Sequence, residues 1–361
     1  MSPHSHITNL QGLNPTAASS TPLPIGELTA LATHHVGDII SIVFQHTPQH
    51  SAVVVYDRRC ALSTILTAAY QHCLPDAHFI DFDAVTPEHV LATFAPLQAS
   101  DLVVLIQSTN FRLEAFRIRV ELFKRQLKVI EHPHLARMNG SEVMTYIDSL
   151  AYDPGYFRTV GHALKHRIDH TSHAIVNSGK GAELVFACAL EPAKVNIGDY
   201  SNMLNWGGQF PIGEVFTEAT DLEAVSGRVR IFVFGDTSFS VNKPAQPITL
   251  IINKGRVCGV EDSTPEFDLV LENIRADEGE IWLRELGFGL NRAFTQERTV
   301  SDIGTYERMC GIHLSLGAKH GIYTKPQIRR AAAKYHVDVF AATVTVKLDD
   351  HIVYHDGEWH I

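Results

Sequence analysis

The sequence predicts a two-domain α/β protein: a layered, Rossmann-like domain with a parallel sheet over residues 26–194, then a mixed α+β domain over 195–361. Three observations carry this. The chain has 361 residues, beyond the roughly 100–200 of a typical domain, so each half can bury its own core. Between Ser51 and His132 short apolar runs alternate with stretches of helical character, the pattern of βαβ units. After about residue 195 strand-like segments separated by turn residues take over.

Residues 1–25 are rich in Ser, Thr, Pro, Asn and Gly without a sustained period and read as a flexible lead-in. SAVVVYD from Ser51 is a buried strand, Cys60 to Cys73 a helix, AHFIDF a second strand, and DLVVLIQ, after another helical stretch, a third. LKVIEH adds a further strand, and SEVMTYIDSL a helix capped by Ser141. The half carries neither GxGxxG nor GxxxxGK[ST], so no phosphate-cradling loop for a nucleotide is expected; NSGKGAE, 177–183, has its glycines wrongly placed and reads as a turn. In the second half GRVRIFVFGD is a strand and PITLIINKGRVCGVE a hairpin turning at Asn253-Lys254-Gly255. FDLVLENI is a helix and EIWLREL a strand. TVSDIGTYERMCG and KPQIRRAAAKY are expected as helices, GIHLSLG as a strand and HVDVFAATVTVKL as a pair of strands.

Composition narrows the function. A formal charge of -10 without a long basic run argues against nucleic-acid binding, and no apolar run approaches the roughly 20 residues of a membrane span. Five scattered cysteines with no CxxC pair, and no signal-peptide pattern, fit a reducing, cytoplasmic setting. No GxSxG or papain-like cysteine context supports a serine or cysteine nucleophile. Histidine is unusually frequent, with 21 residues, and invites metal chemistry.

The placement of these histidines is informative. In Tyr335-His336-Val337-Asp338, strand alternation turns His336 and Asp338 to one face, a two-ligand pair. His313 stands among apolar neighbours in GIHLSLG, where an imidazole needs a metal or a hydrogen-bonding partner. Glu285 closes an apolar strand before the glycine-rich turn of ELGFGLN, and Glu214 sits similarly in PIGEVFTE. His132 and His134 flank Pro133 after a strand, where a loop can deliver them, with Arg137, to a substrate carboxylate. His162, His166 and His170 recur at helical spacing and read as a solvated helix face, with a second metal site as the alternative.

PIGEVFTE, Val225-Ser226-Gly227, ELGFGLN, GIHLSLG and HVDVF stand in the order seen in the M29 aminopeptidases of the aminopeptidase T type, and the chain resembles that family most strongly over about 205–345. The resemblance implies a dinuclear site, filled by two zinc, cobalt or manganese ions, in a cleft between two domains of a homodimer. It places Glu214, Glu285, His313, His336 and Asp338 at metal-binding positions. It further implies hydrolysis of a small peptide or peptide-like metabolite by a metal-activated water, with Glu285 as base or bridging ligand. Where the peptidases carry a tyrosine seven residues beyond the position of His313, this chain has His320, with Tyr323 three residues further; both are catalytic candidates, His320 to stabilise an oxyanion or orient substrate. The resemblance extends to the 2,5-dihydroxypyridine 5,6-dioxygenases, which implies as an alternative one ferrous ion held by His336, Asp338 and His313. A third reading is a catalytically silent, peptide-binding member. Three carboxylates in one cleft favour two cations over one.

Overall fold

The computed structural model describes residues 24–111, 118–203 and 205–361; the expected lead-in lies, up to residue 23, outside the described residues. Helix α1 (Ile25–Asp38) runs on into one π turn at Ile39–Val43 and buries Leu28, Ala32, Val36, Ile39 and Val43 along one side. Near four-residue spacing of apolar side chains makes such a stripe. Strand β1 (Ala52–Tyr56), helix α2 (Ala61–Cys73), β2 (His78–Asp81), α3 (Pro87–Phe94), β3 (Leu102–Ile106), α4 (Ile118–Lys124) and β4 (Lys128–His132) follow in βαβ order. The strands pair parallel as β2-β1-β3-β4. Alternation along them separates two apolar clusters. Val54, Leu102, Val104 and Ile106 pack with α1 and α2, while Val53, Val55, Val103 and Leu105 pack with Val90, Phe94 and Leu122. Both faces are covered, which is why these strands are apolar throughout.

Helices α5 (Glu142–Ser149) and α6 (Pro154–His170) come next. Ser141 precedes α5 but makes no capping bond, because it already has helical dihedrals of φ -65 and ψ -21; Asp153 caps α6 by accepting from Tyr156 N. Strands β5 (Ala174–Asn177) and β6 (Glu183–Phe186) form a hairpin over the NSGKGAE turn and belong to the second sheet, as does β7 (Lys194–Asn196). Strand β8 (Trp206–Gln209) returns to the parallel sheet beside β4. The two sheets thus exchange strands across residues 174–209 instead of meeting at a single crossing.

The second sheet is completed by β9 (Glu214–Glu218), β10 (Val225–Gly235), β11 (Val241–Asn242), β12 (Ile248–Asn253), β13 (Arg256–Glu261), β14 (Leu283–Gly289), β15 (Gly311–Leu316), β16 (Val337–Ala341), β17 (Thr345–Leu348), β18 (His351–His355) and β19 (Glu358–Trp359). Its order is β19-β18-β17-β5-β6-β10-β16-β15-β14-β9-β7, with β11 and the β12–β13 hairpin attached through β10. That hairpin turns at Lys254 and Gly255 with φ of 48° and 71°, the left-handed pair of a type I′ turn. Helix α7 (Pro265–Glu278) covers FDLVLENI and is capped by Thr264.

Two expected helices are corrected. TVSDIGTYERMCG holds only the single turn α8 (Ile303–Tyr306), capped by Asp302. KPQIRRAAAKY is turn and one 3₁₀ turn at Arg330–Ala332. The latter has helix-forming residues but no apolar stripe, and Arg329–Ala332 stay exposed, so packing never stabilises a helix there. Among the described residues no helix is long and apolar enough to cross a membrane.

Candidate metal centre

Four adjacent antiparallel strands, β9, β14, β15 and β16, carry the ligand candidates. Gly287 of β14 lies opposite His313 of β15, and a Cβ there would stand 2.0 Å from the His313 ring; the glycine of ELGFGLN leaves the space the imidazole fills. Glu285 sits in a register shift between Leu283 and Leu286, where the strand bulges, and its N–H donates to Ser315 Oγ at 3.0 Å. Such bulges re-aim side chains beside functional sites. Asp338 lies opposite Ser315 on β16, with His336 just before that strand.

These residues come together. His313 Nε2 is 3.3 Å from Glu214 Oε1 and 3.2 Å from Glu285 Oε1. The other oxygen, Glu285 Oε2, is 2.9 Å from His320 Nε2 and 4.0 Å from His336 Nε2, which in turn is 3.1 Å from Asp338 Oδ1. Glu214, Glu285 and His313 offer ligand atoms all within 4.8 Å of one another. Ligands bonded at about 2.0–2.2 Å to one ion stand roughly 3–3.5 Å apart, so these separations suit a divalent cation. Among the described residues the buried Asp338 Oδ1 has no well-directed hydrogen-bond donor, only the charge pair with His336, as a carboxylate oxygen shaped for an ion would be. His336 Nδ1 donates to the Lys319 carbonyl at 3.1 Å, turning Nε2 toward the carboxylates in the manner of ligating histidines. His313 Nδ1 has no partner among the described residues.

His320 behaves differently. Its Nδ1 accepts the backbone N–H of Ile322 at 3.2 Å, so the neutral ring carries its proton on Nε2 and donates to Glu285. It positions Glu285; it does not present a lone pair to the cleft.

The charges explain one another. Burial works to raise the Glu285 carboxyl, but His313, His320 and His336 around it hold it below the ordinary carboxylate range. Burial likewise opposes charge on His336, yet Asp338 and Glu285 lift it to about 10. His313 is raised well above its usual value by Glu214 and Glu285 against the same burial. Two residues with no motif of their own complete the set. Arg308, buried, lies 3.3 Å from Glu214 Oε2 and contacts Glu307; Glu307 is pushed well up, by burial first and then by the Asp338 and Glu214 charges. Arg284 pairs with the fully buried Glu218 and donates to the Tyr323 carbonyl at 3.1 Å, tying the loop that carries His320 to β9.

Two expectations are corrected. Tyr323 turns its hydroxyl away, donating to the Pro192 carbonyl at 2.8 Å while its ring stacks on His320, so it brings no phenol to the centre. His132 is fully buried between Tyr70 Oη and Tyr146 Oη, each 2.8 Å away, and burial lowers its pKa to about 3; it is a core residue that meets no substrate. The left-handed turn at His134, φ 55, breaks the extended backbone and separates the two histidines of the HPH segment. His134 and Arg137 do reach the cleft. Both contact the buried Asp302, at 3.3 and 2.9 Å, and line a cavity of about 350 Å³ with Glu307, Lys319, His336 and Asp338. The row on α6 is a solvated face, with His162 on Asp199 at 2.8 Å and His170 on the His166 carbonyl at 2.7 Å.

No family model matches the chain, and no curated protein matches it. Solved structures do. A 2,5-dihydroxypyridine dioxygenase from Pseudomonas putida KT2440 superposes with a TM-score of 0.60 at 15% identity, over 94% of this chain and 98% of that one. Wild-type AmpT from Thermus thermophilus gives 0.56 at 11% identity, over 92% of this chain and all of the other. The chain shares their fold. The likeness drawn from PIGEVFTE, ELGFGLN, GIHLSLG and HVDVF therefore holds for the whole architecture. Both neighbours are enzymes of different chemistry, so the shared fold does not fix the reaction.

Proposed function

We propose that this chain is a metal-dependent hydrolase that cleaves an amide bond in a small peptide or peptide-like metabolite. The observation that carries the reading is the position of Glu285. One oxygen stands with His313 and Glu214, while the other faces His336, the partner of Asp338. A carboxylate between two ligand sets suits a bridge between two ions. Glu214, Glu285 and His313 would hold one; Glu285, His336 and Asp338 the other. Bound there, divalent ions supply Lewis-acid polarisation of the scissile carbonyl and lower the pKa of water.

The protein's own groups divide the remaining work. His320 donates to Glu285 Oε2 and fixes the rotation of that carboxylate. Glu307 lines the cavity beside Asp338, and burial together with the Asp338 charge pushes its carboxyl up, which suits it to exchange a proton with a departing amine. Arg308 holds Glu214 in place and offsets part of the negative charge.

One observation favours a second reading. The Arg308 guanidinium beside Glu214 is a fixed cation at one ligand set, and with it a single ion would balance the remaining carboxylates. His313, His336 and Asp338 would then serve one ferrous ion in a ring-cleaving dioxygenase. Turnover of a dipeptide under strict anoxia with zinc, cobalt or manganese supports the hydrolase; activity that needs ferrous iron and consumes O₂ overturns it.

A further inference from the structure

We infer that the cleft contains a carboxylate-recognition subsite formed by Arg137 of the parallel-sheet unit and Lys319 of the second unit, so that the preferred substrate carries a free carboxylate next to the bond cleaved. The inference rests on the hydrolase reading for the bond but not for the subsite itself.

Arg137 is held by one nitrogen only. Its Nη1 donates to Asp302 Oδ1 at 2.9 Å and to the Phe239 carbonyl at 3.2 Å, while Nε and Nη2 have no protein acceptor among the described residues. Side-by-side Nε and Nη2 donors are the edge that takes a carboxylate in two parallel hydrogen bonds. Asp302 is buried and also accepts from Thr305 N and Oγ1, at 3.0 and 2.8 Å, so the anchor is rigid and the guanidinium arrives preoriented. Arg137 retains 34% of its side-chain exposure and lines the same cavity as His336 and Asp338. It also lines a second cavity of about 570 Å³ that opens along the ends of β1, β3 and β4, with Arg59 and Asn110 on its wall. The guanidinium therefore stands where the two spaces meet.

Lys319 supplies the second cation. It lines the 350 Å³ cavity and, unlike its neighbour Lys334, which pairs with Asp277 at 2.9 Å, forms no ion pair among the described residues. Its own carbonyl receives His336 Nδ1–H, so the lysine is fixed to the backbone beside a ligand candidate. The cavity's carboxylates leave donors free on both cations: Asp302 takes only Nη1 of Arg137, Glu307 contacts Arg308, Asp236 accepts the N–H groups of Ser238 and Ser240 at 2.7 and 2.9 Å, and Asp338 belongs to the metal set. A ligand carboxylate is the group that matches the open Nε–Nη2 edge of Arg137 and the unpaired Lys319 ammonium.

The test compares N-acetylphenylalanine with N-acetylphenylalaninamide by calorimetry on the zinc-loaded protein, alongside turnover of a dipeptide and its C-terminal amide. The acid should bind about 10–100-fold tighter than the amide, the span of a bidentate charge-assisted pair. Arg137→Met should bring that ratio close to one with zinc content unchanged, and Lys319→Met, which breaks no protein ion pair, should cut it about 3–10-fold by losing one exposed charge. Equal binding of the two probes, no measurable binding of either at millimolar concentration, or a ratio that survives both substitutions overturns the subsite. Discrimination in binding without turnover of either dipeptide would instead sink the hydrolase reading alone, and turnover with equal rates on both would sink the subsite alone.

Discussion

Replacing His132 by Gln should weaken the protein at neutral pH and at the same time make it less sensitive to acid. In the wild type Tyr70 Oη–H donates to Nε2, Nδ1–H donates to Tyr146 Oη, and Tyr146 Oη–H donates to the Phe210 carbonyl at 3.3 Å, so every polar atom of this buried chain is matched by a neutral imidazole. A second ring proton would need water that burial has removed, hence the folded pKa of about 3 against 6.5 for the unfolded chain. The sign follows from proton counting. Between those values the unfolded state binds more protons, so stability is full above about pH 6.5 and falls as pH drops toward 3. The complete effect is on the order of 5 kcal/mol, and about 2 kcal/mol of it is lost between pH 7 and pH 5. Urea unfolding of chelator-treated protein at pH 7, 6 and 5 reads it directly. His132→Gln should cost about 1–3 kcal/mol at pH 7 for the disrupted hydrogen bonds, yet lose about 2 kcal/mol less than wild type on going to pH 5. The metal-site histidines titrate in both proteins and cancel in the difference. Equal slopes for the two would refute the assignment of His132 to the core, as would intact stability with lost substrate affinity.

Three further outcomes follow from the centre. Gly287→Ala places a methyl group against the His313 ring, so metal affinity should drop by at least about tenfold while urea stability of the metal-free protein changes less; unchanged affinity by competition with a chelating dye would contradict the cradle. Arg308→Leu leaves Glu214 and Glu307 without their buried cation and should destabilise the metal-free protein by about 3–5 kcal/mol, with saturating zinc restoring part of it; equal unfolding midpoints for variant and wild type would count against the pairing. Because the charges of Asp338 and Glu285 keep His336 protonated to about pH 10 in the metal-free protein, binding an ion at pH 7 should expel at least one proton, and affinity should rise with pH. Calorimetry in two buffers of different ionisation enthalpy counts that proton; a count of zero would refute the pairing of His336 with the carboxylates.

The parallel sheet was readable because its signal is local. SAVVVYD, DLVVLIQ and LKVIEH are buried on both faces and therefore apolar at every position. The HxD pair was readable for the opposite reason, since a strand turns alternate side chains to one face whatever it pairs with. Strand order was not: β8 joins β4 across some seventy residues, and β5 and β6 join the second sheet ahead of the expected boundary, through hydrogen bonds no local period encodes. Helix α1 went unassigned although its apolar spacing was present, obscured by His34 and His35 within the row. The loop after β15 was misjudged for a similar reason. Arg284 and Lys325 hold it from beneath, Lys325 through the Ala219 carbonyl and Glu191, and such buried cations look like surface residues in a sequence. Arg308 and Glu307 were missed on the same ground: their significance lies only in what they face.

The central claim is a site whose two ligand sets share Glu285. Metal-to-chain stoichiometry of untagged protein, purified anoxically and reconstituted with zinc, manganese or ferrous iron, tests it most directly, with Asp338→Ala measured in parallel. The account predicts about two ions per wild-type chain and about one in the variant; a wild-type chain that retains none, or a variant that retains as many as wild type, would contradict it.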